Sequence, residues 1–177
     1  RGSWFWGEKG NNFVEILIHD LIKKYINQEE SGDWFCMGSS MGGFGSLLHG
    51  IKYSASGIYV SEPQIDLRAK VIDYDISDND NPYGYLKGSD LKEVPDLVEL
   101  ALRANELPPL FLVQQLYDPV NLFSDHGYRL VNVYNQKRAW YGLRIAPGIG
   151  HHSDPSSDEA FYFFHLISEK NPPWTFP

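Results

Sequence analysis

The stretch Trp34-Phe35-Cys36-Met37-Gly38-Ser39-Ser40-Met41-Gly42-Gly43-Phe44-Gly45 joins a short apolar run to a glycine-spaced turn and then to a helical pattern. A continuous apolar run of this length suits a strand covered on both faces. The turn matches G-x-S-x-G over Gly38–Gly42. In so sharp a strand-to-helix turn the central residue takes a strained backbone conformation, and side chains two positions before and after it would collide. Gly38 and Gly42 relieve that collision around Ser40, whereas Ser39 is flanked by Met37 and Met41 at the same offsets. Ser40 is therefore the nucleophile candidate, with Ser39 beside it as a substrate contact. The Met41 N–H, at the start of the following helix, would face the oxyanion that forms when a serine attacks a carbonyl. Gly43 and Gly45 are expected to let helix and strand approach closely. A five-residue match arises by chance, so the reading depends on what surrounds it.

Outward from this turn, helical and strand patterns alternate. Residues 12–27 place Val14, Leu17, Ile18, Leu21, Ile22 and Tyr25 on one helical face, with Glu15, His19, Asp20, Lys23 and Lys24 opposite. Helix is expected from the turn to about Gly50, then a buried strand at 57–60, a helix at 94–104 and a strand at 110–113. A helix at 122–136, a strand at 142–146 and a final helix over 158–169 complete the chain. Strands separated by helical stretches predict an α/β fold: a mostly parallel sheet with helices on both faces. Functional loops in such sheets lie at the carboxyl ends of the strands.

A serine hydroxyl needs a general base, and a carboxylate to hold that base in the productive tautomer. Of six histidines, His19, His49, His126 and His165 fall in or beside helices and are read as structural. His151 and His152 follow the fourth strand through Pro147-Gly148-Ile149-Gly150, read as an irregular loop. His151 is the preferred base and His152 the alternate, because neighbours in extended chain face opposite ways. For the acid, Asp118 just past the third strand is preferred. Asp125 is the alternate, although an N-capping role explains it equally, and Glu62 after the second strand ranks below both. Tyr117 beside Asp118 is a further substrate contact. Pairing of His151 and His152 with Asp154 at a metal is weaker, with no third clustered ligand, and Asp73, Asp75, Asp78 and Asp80 lack the glycine and glutamate of a calcium loop. No metal and no cofactor is expected.

Residues 62–109 are long for a simple crossover and are read as an inserted cap or lid, against the plainer alternative of a helix-bearing crossover. Tyr83 and Tyr85 there could stack on a sugar or simply pack the cap. The net charge of −8 is concentrated in this part of the chain: 62–99 holds ten acidic and four basic residues. A polyanionic substrate is accordingly disfavoured, and so is nucleic acid. With 177 residues, 42% of them hydrophobic and 15% aromatic, the chain can bury a sizeable core as a single domain over 1–177. No apolar stretch reaches membrane-spanning length and no signal-peptide pattern is visible. The single cysteine, Cys36, allows no internal disulfide. A cytoplasmic setting is the expectation, with the oligomeric state open. The chain opens at Arg1 rather than Met and reads as a fragment.

Gly38-Ser39-Ser40-Met41-Gly42-Gly43 resembles the nucleophile elbow of the α/β-hydrolase superfamily, and Asp118 and His151 match its acid and base by position and chain order. Three stretches, S-W-F-W-G-E-K-G-N-N-F at 3–13, G-S-S-M-G-G-F-G at 38–45 and S-E-P-Q-I-D-L at 61–67, are similar to hydrolase-like proteins of bacterial capsular polysaccharide biosynthesis. The accessory secretion acyltransferase-like family has a related pattern. The resemblance implies a serine hydrolase that cleaves an ester through an acyl-enzyme, its substrate a small-molecule or saccharide ester. The alternatives are an O-acyltransferase of surface polysaccharide or glycoprotein, or a non-catalytic partner in a polysaccharide or secretion assembly. The superfamily has further strands ahead of the elbow, one of which supplies a second oxyanion donor. Here only about 33 residues precede the elbow strand, so missing sequence or the 2–10 loop would have to supply that donor.

Overall fold

The computed structural model describes residues 5–7, 11–26, 32–67, 95–151 and 156–169. The elements are α1 (Phe13–Ile26), β1 (Phe35–Ser39), α2 (Ser40–Lys52), β2 (Gly57–Ser61), α3 (Leu97–Arg103), β3 (Leu110–Tyr117), α4 (Gly127–Gln136), β4 (Tyr141–Ile149) and α5 (Ser157–Ser168). The four strands form one sheet in the order β1-β2-β3-β4, parallel at every pairing. Spatial order thus equals chain order. Successive right-handed crossovers stepping the same way across a sheet put their helices on one face, and α2, α3 and α4 share a core there. Phe44, Leu47, Leu48, Leu97, Ala101, Leu130 and Val131 meet Ile58, Val60, Leu110 and Leu112 from the sheet. The alternate strand residues face the other way. Tyr59 and Val113 pack with Ala160 and Phe163 of α5, which covers the opposite face.

The strand and helix patterns fall where the sequence places them, with four instructive differences. First, β1 is only partly covered, and Met37 is exposed. An apolar run marks a strand with little polar decoration; it does not say how many layers lie over it. β2, paired on both sides, is the strand buried throughout.

Second, α1 docks by the face that reads as polar. Glu15 is buried against Lys52, with Asn12 and Tyr53 also donating to its carboxylate, and the His19 ring stacks on Tyr53 at 4.3 Å. Leu17, Leu21 and Tyr25 are exposed. The C-terminal end of α2 presents a cation and a phenol rather than an apolar surface, so the carboxylate is what finds a partner there. Ile18 and Ile22 line a cavity of about 310 Å³ together with Phe5, Trp34 and Met37.

Third, β4 continues through Pro147, Gly148 and Ile149, which the sequence reading leaves as a loop. Pairing of β3 with β4 shifts between Gln115 and Tyr117. Among the described residues β4 pairs on one side only, with β3, and a proline is tolerated in such a strand or at such an irregularity. A Cβ on Gly148 would stand 2.0 Å from the Gln115 side chain. Fourth, α4 begins at Gly127 after a turn over 123–126, with His126 rather than Asp125 at its N-cap.

Of residues 62–109, those at 62–67 and 95–109 lie in the described structure. Asp96 caps α3 by accepting from Val98 N and Glu99 N, and Leu97 and Ala101 are fully buried in the first core. Residues 68–94, the middle of the expected cap with Tyr83, Tyr85 and the aspartates at 73–80, lie outside the described ones. Within the described residues, no helix is long and apolar enough to cross a membrane.

The elbow glycines divide in their roles. A Cβ at Gly38 would lie 2.3 Å from Gly42 O and 2.6 Å from Ser46 Oγ, whereas one at Gly42 would meet open space. Only half of the expected collision is present. Gly43 and Gly45 admit Pro63 and Phe5, respectively, rather than the strand. Gly38→Ala is therefore expected to cost about 1–3 kcal/mol as an overpacking change. Gly42→Ala, inside a helix, should be neutral or slightly stabilising. Urea unfolding of the two variants checks this, and equal losses would contradict the steric account.

Candidate active site

Because all four strands run the same way, their carboxyl ends lie along one edge of the sheet, and each delivers one polar residue there. Ser40 follows β1 directly and is the first residue of α2, at φ +49°, a left-handed conformation that a serine adopts only under constraint. The close approach of Gly38 to Gly42 makes the turn possible. Gln64 N donates to Ser40 O at 3.3 Å, and Pro63 abuts Gly43, so the loop after β2 braces the turn. Ser39 is the N-cap residue of α2, but its side chain makes no capping bond. The first N–H groups of a helix have no intrahelical acceptor; Met41 N–H is one of these.

Asp118, fully buried, follows β3. Its Oδ1 accepts from Val120 N at 2.8 Å and Asn121 N at 3.0 Å, a turn that fixes the carboxylate and leaves Oδ2 facing away from it. That oxygen lies 2.8 Å from His151 Nδ1. On the other side of the ring, His151 Nε2 lies 2.9 Å from Ser40 Oγ. His151 sits two residues past β4, and Gly150 N donates to Tyr117 O at 3.0 Å to hold the chain over the end of β3. With Asp118 ionised, Nδ1 carries the proton and Nε2 is the acceptor for the serine hydroxyl.

A second carboxylate reaches the same imidazole. Glu62, 1% exposed, places Oε2 3.3 Å from His151 Nδ1. Burial pulls the His151 pKa down, but the hydrogen bond and charge of Asp118 and the charge of Glu62 outweigh it and leave the group above its ordinary value. Glu62, Asp118 and His151 offer three possible ligand atoms within 4.8 Å of one another. The bond between Asp118 and His151 accounts for that convergence as an oriented imidazole. The free thiol of Cys36 is pushed up to about 12 by burial, so it stays protonated.

Of the other residues singled out in the sequence, Tyr117 is exposed at the end of β3. Asp125 lies in the turn before α4 and accepts from Ser124 Oγ at 3.2 Å. His152 and Asp154 are outside the described residues. His126, read as structural, is buried: its Nδ1 accepts from Ile65 N at 2.9 Å and Asp66 N at 3.2 Å, tying the loop after β2 to the start of α4. Asn121 Nδ2 donates to Glu62 O at 2.8 Å, and Arg129 pairs with Asp66 at 2.5 Å. The stretch 61–67 is thus the brace of the site, and Glu62, ranked in the sequence reading below Asp118 and Asp125 as an acid, lies beside Asp118 at the imidazole. The available signal was a carboxylate directly after a strand buried along its whole length.

No protein-family model and no curated protein matches the sequence. Among solved structures, the capsule O-acetyltransferase of Neisseria meningitidis serogroup A superposes with a TM-score of 0.64 at 20% identity, covering 96% of this chain and 69% of that one. A puromycin-hydrolyzing peptidase of Mycobacterium tuberculosis gives a TM-score of 0.60 at 18% identity, covering 94% of this chain and 25% of that one. A ferulic acid esterase gives 0.52 at 16% identity, covering 74% and 50%. These neighbours are α/β-hydrolase-type proteins, and the fold of this chain is the α/β-hydrolase fold. The parallel sheet and the tight strand-to-helix turn at Ser40 are the parts of this chain that carry that fold.

The buried His126 makes stability pH-dependent. Burial holds its pKa down at about 4, against attraction from Asp66, Asp125 and Asp118, while the unfolded chain would titrate near 6.5. Between those values the unfolded chain binds the extra proton, so this contribution is complete above pH 6.5 and is lost as the pH falls toward 4. The loss is up to about 3 kcal/mol. Urea unfolding at pH 7.5 and 4.5 should show a smaller decline for His126→Gln than for the unaltered chain; equal declines would rule the assignment out.

Proposed function

We propose that this chain is a serine-dependent acyl-group enzyme that cleaves an ester, a carboxylic ester or an O-acyl group on a saccharide, through an acyl-enzyme on Ser40. The observation that carries the reading is the unbroken chain of short contacts from Ser40 Oγ through the His151 ring to Asp118 Oδ2, at 2.9 and 2.8 Å. Asp118 and His151 are held there by strand ends rather than by flexible side-chain reach.

In this reading the carbonyl carbon of the ester is attacked by Ser40 Oγ as its proton passes to His151 Nε2. Asp118 stabilises the imidazolium without taking its proton. The tetrahedral oxyanion faces the Met41 N–H, where the N-terminal end of the α2 dipole adds attraction. The segment Phe5–Gly7 is the candidate for a second donor, since Phe5 packs on Gly45 and its carbonyl accepts from His49 Nε2. Collapse expels the alcohol, protonated by His151, and leaves the acyl group on Ser40. An incoming hydroxyl, deprotonated by the same nitrogen, then releases the acyl group and restores the serine. Ser39 and Tyr117 border this centre as substrate contacts.

Water as the incoming group makes the enzyme an esterase, and a sugar hydroxyl makes it an O-acyltransferase. Every residue named serves both. The likeness over 96% of the chain to a capsule O-acetyltransferase favours keeping the transfer reading beside the hydrolytic one.

A fluorophosphonate probe should label the chain, and Ser40→Ala should abolish labelling and lower ester turnover by at least about 10³-fold. Labelling that persists in Ser40→Ala, or none in the unaltered protein, would overturn the reading. Release of acyl product with and without an added saccharide acceptor separates the two reactions: diversion of the acyl group to the sugar marks a transferase.

The pH profile supplies a further check. A raised His151 pKa means that the base is protonated, and idle, up to a higher pH than an ordinary imidazole. The acid limb of kcat/KM is expected above pH 6.5, with activity lost as the pH falls through it. A limb at or below 6.5 would contradict the two-carboxylate environment.

A further inference from the structure

Glu62 occupies an unusual place for a carboxylate. It is the first residue past β2, at φ +47°, a left-handed conformation rare for a residue with a Cβ. Its backbone is fixed from two sides: the N–H donates to Val113 O at 2.8 Å, and the carbonyl accepts from Asn121 Nδ2 at 2.8 Å. Asn121 is itself held, because Gln114 Nε2 donates to its carbonyl at 3.0 Å. The side chain is directed inward, essentially unexposed, with Oε2 3.3 Å from the ring nitrogen that Asp118 Oδ2 approaches to 2.8 Å. A strained backbone and a buried carboxylate are each costly and persist only where the surroundings over-determine them. Together they aim one negative charge at His151 Nδ1.

We infer that Glu62 is a positioning residue for His151: a second buried carboxylate beside Nδ1, which acts through its charge and shares with Asp118 the stabilisation of the imidazolium. The inference rests on the reading of His151 as the general base. Asp118 alone supplies one oxygen, since its other is engaged by Val120 N and Asn121 N. Glu62 lies on the same side of the ring, so a second negative charge faces Nδ1 and holds the imidazolium in that orientation if the Asp118 contact lengthens during turnover. The charged or titratable groups facing the imidazole are Asp118 at the end of β3 and Glu62 at the end of β2, with Ser40 at the start of α2. His126, before α4, interacts with Asp66, Asp125, Asp118 and Arg129 and is neutral above about pH 4, so it adds no competing cation.

The test is a histidine NMR titration of the full chain, unaltered and as Glu62→Gln, with pH profiles of ester turnover beside it. Glu62→Gln keeps the volume and removes the charge. The midpoint of His151 should fall by about one pH unit, the acid limb of kcat/KM should move with it, and kcat should drop with KM unchanged. A well-folded Glu62→Gln protein with an unmoved His151 midpoint overturns the inference. If Glu62→Gln does not fold, Glu62→Asp decides: aspartate tolerates the left-handed backbone better and keeps the charge but draws it back from Nδ1, so the His151 midpoint should fall by less than in a charge-free variant, and an unmoved midpoint overturns the inference. The titration reads Glu62 whether or not the enzyme turns over, while fluorophosphonate labelling reads the nucleophile. Failure of one is therefore distinguishable from failure of the other.

Discussion

The parallel alignment of four adjacent strands is the constraint on which the rest depends. A parallel sheet sends every strand end of one kind to the same edge, so residues far apart in the chain need only sit one or two places past their strands to meet. Ser40 and His151 are 111 positions apart and in contact. β1 and β4 stand three strand spacings apart, so the chain past β4, held over the end of β3 by Gly150 N on Tyr117 O, carries the imidazole back across that edge. The crossover helices pay for this arrangement by filling one face with aliphatic side chains, leaving the smaller, aromatic cluster around Tyr59, Phe111 and Phe163 to α5.

Around the imidazole the structure concentrates negative charge without exposing it. Asp118 and Glu62 are both buried, and their backbone and side-chain positions are tied through Asn121, Gln114 and the loop anchored on His126. This network is why the loop after β2 is rigidly built rather than a passive connection. It braces the serine turn through Gln64 and Pro63 and at the same time presents Glu62.

Much of this was legible in the letters. Strand and helix order followed from periodicity, and the serine turn from glycine spacing, because both are local rules. The placement of Asp118 and His151 past strand ends followed from chain order. What escaped the reading depends on partners distant in sequence. The orientation of α1 was decided by Lys52 and Tyr53 at the far end of α2. The extension of β4 through Pro147 was decided by pairing with β3, which overrides a glycine-rich composition. Glu62 ranked low because a carboxylate after a strand has many uses, and only the position of the imidazole distinguishes them. Gly42 shows the opposite error, a glycine credited with a steric duty that Gly38 alone performs.

The strand order has a consequence for how the site can fail. Within the described residues β4 pairs on one side only, with β3, and it carries the imidazole just beyond its end. Marginal strands open at lower free energy than central ones. A fluctuation that peels β4 away would withdraw the imidazole while Ser40, Glu62 and Asp118 stay seated on the three remaining strands. Among the described residues β1, under Ser40, is outer in the same sense, so both ends of the contact between Ser40 and His151 rest on marginal strands while Glu62 and Asp118 rest on the inner two.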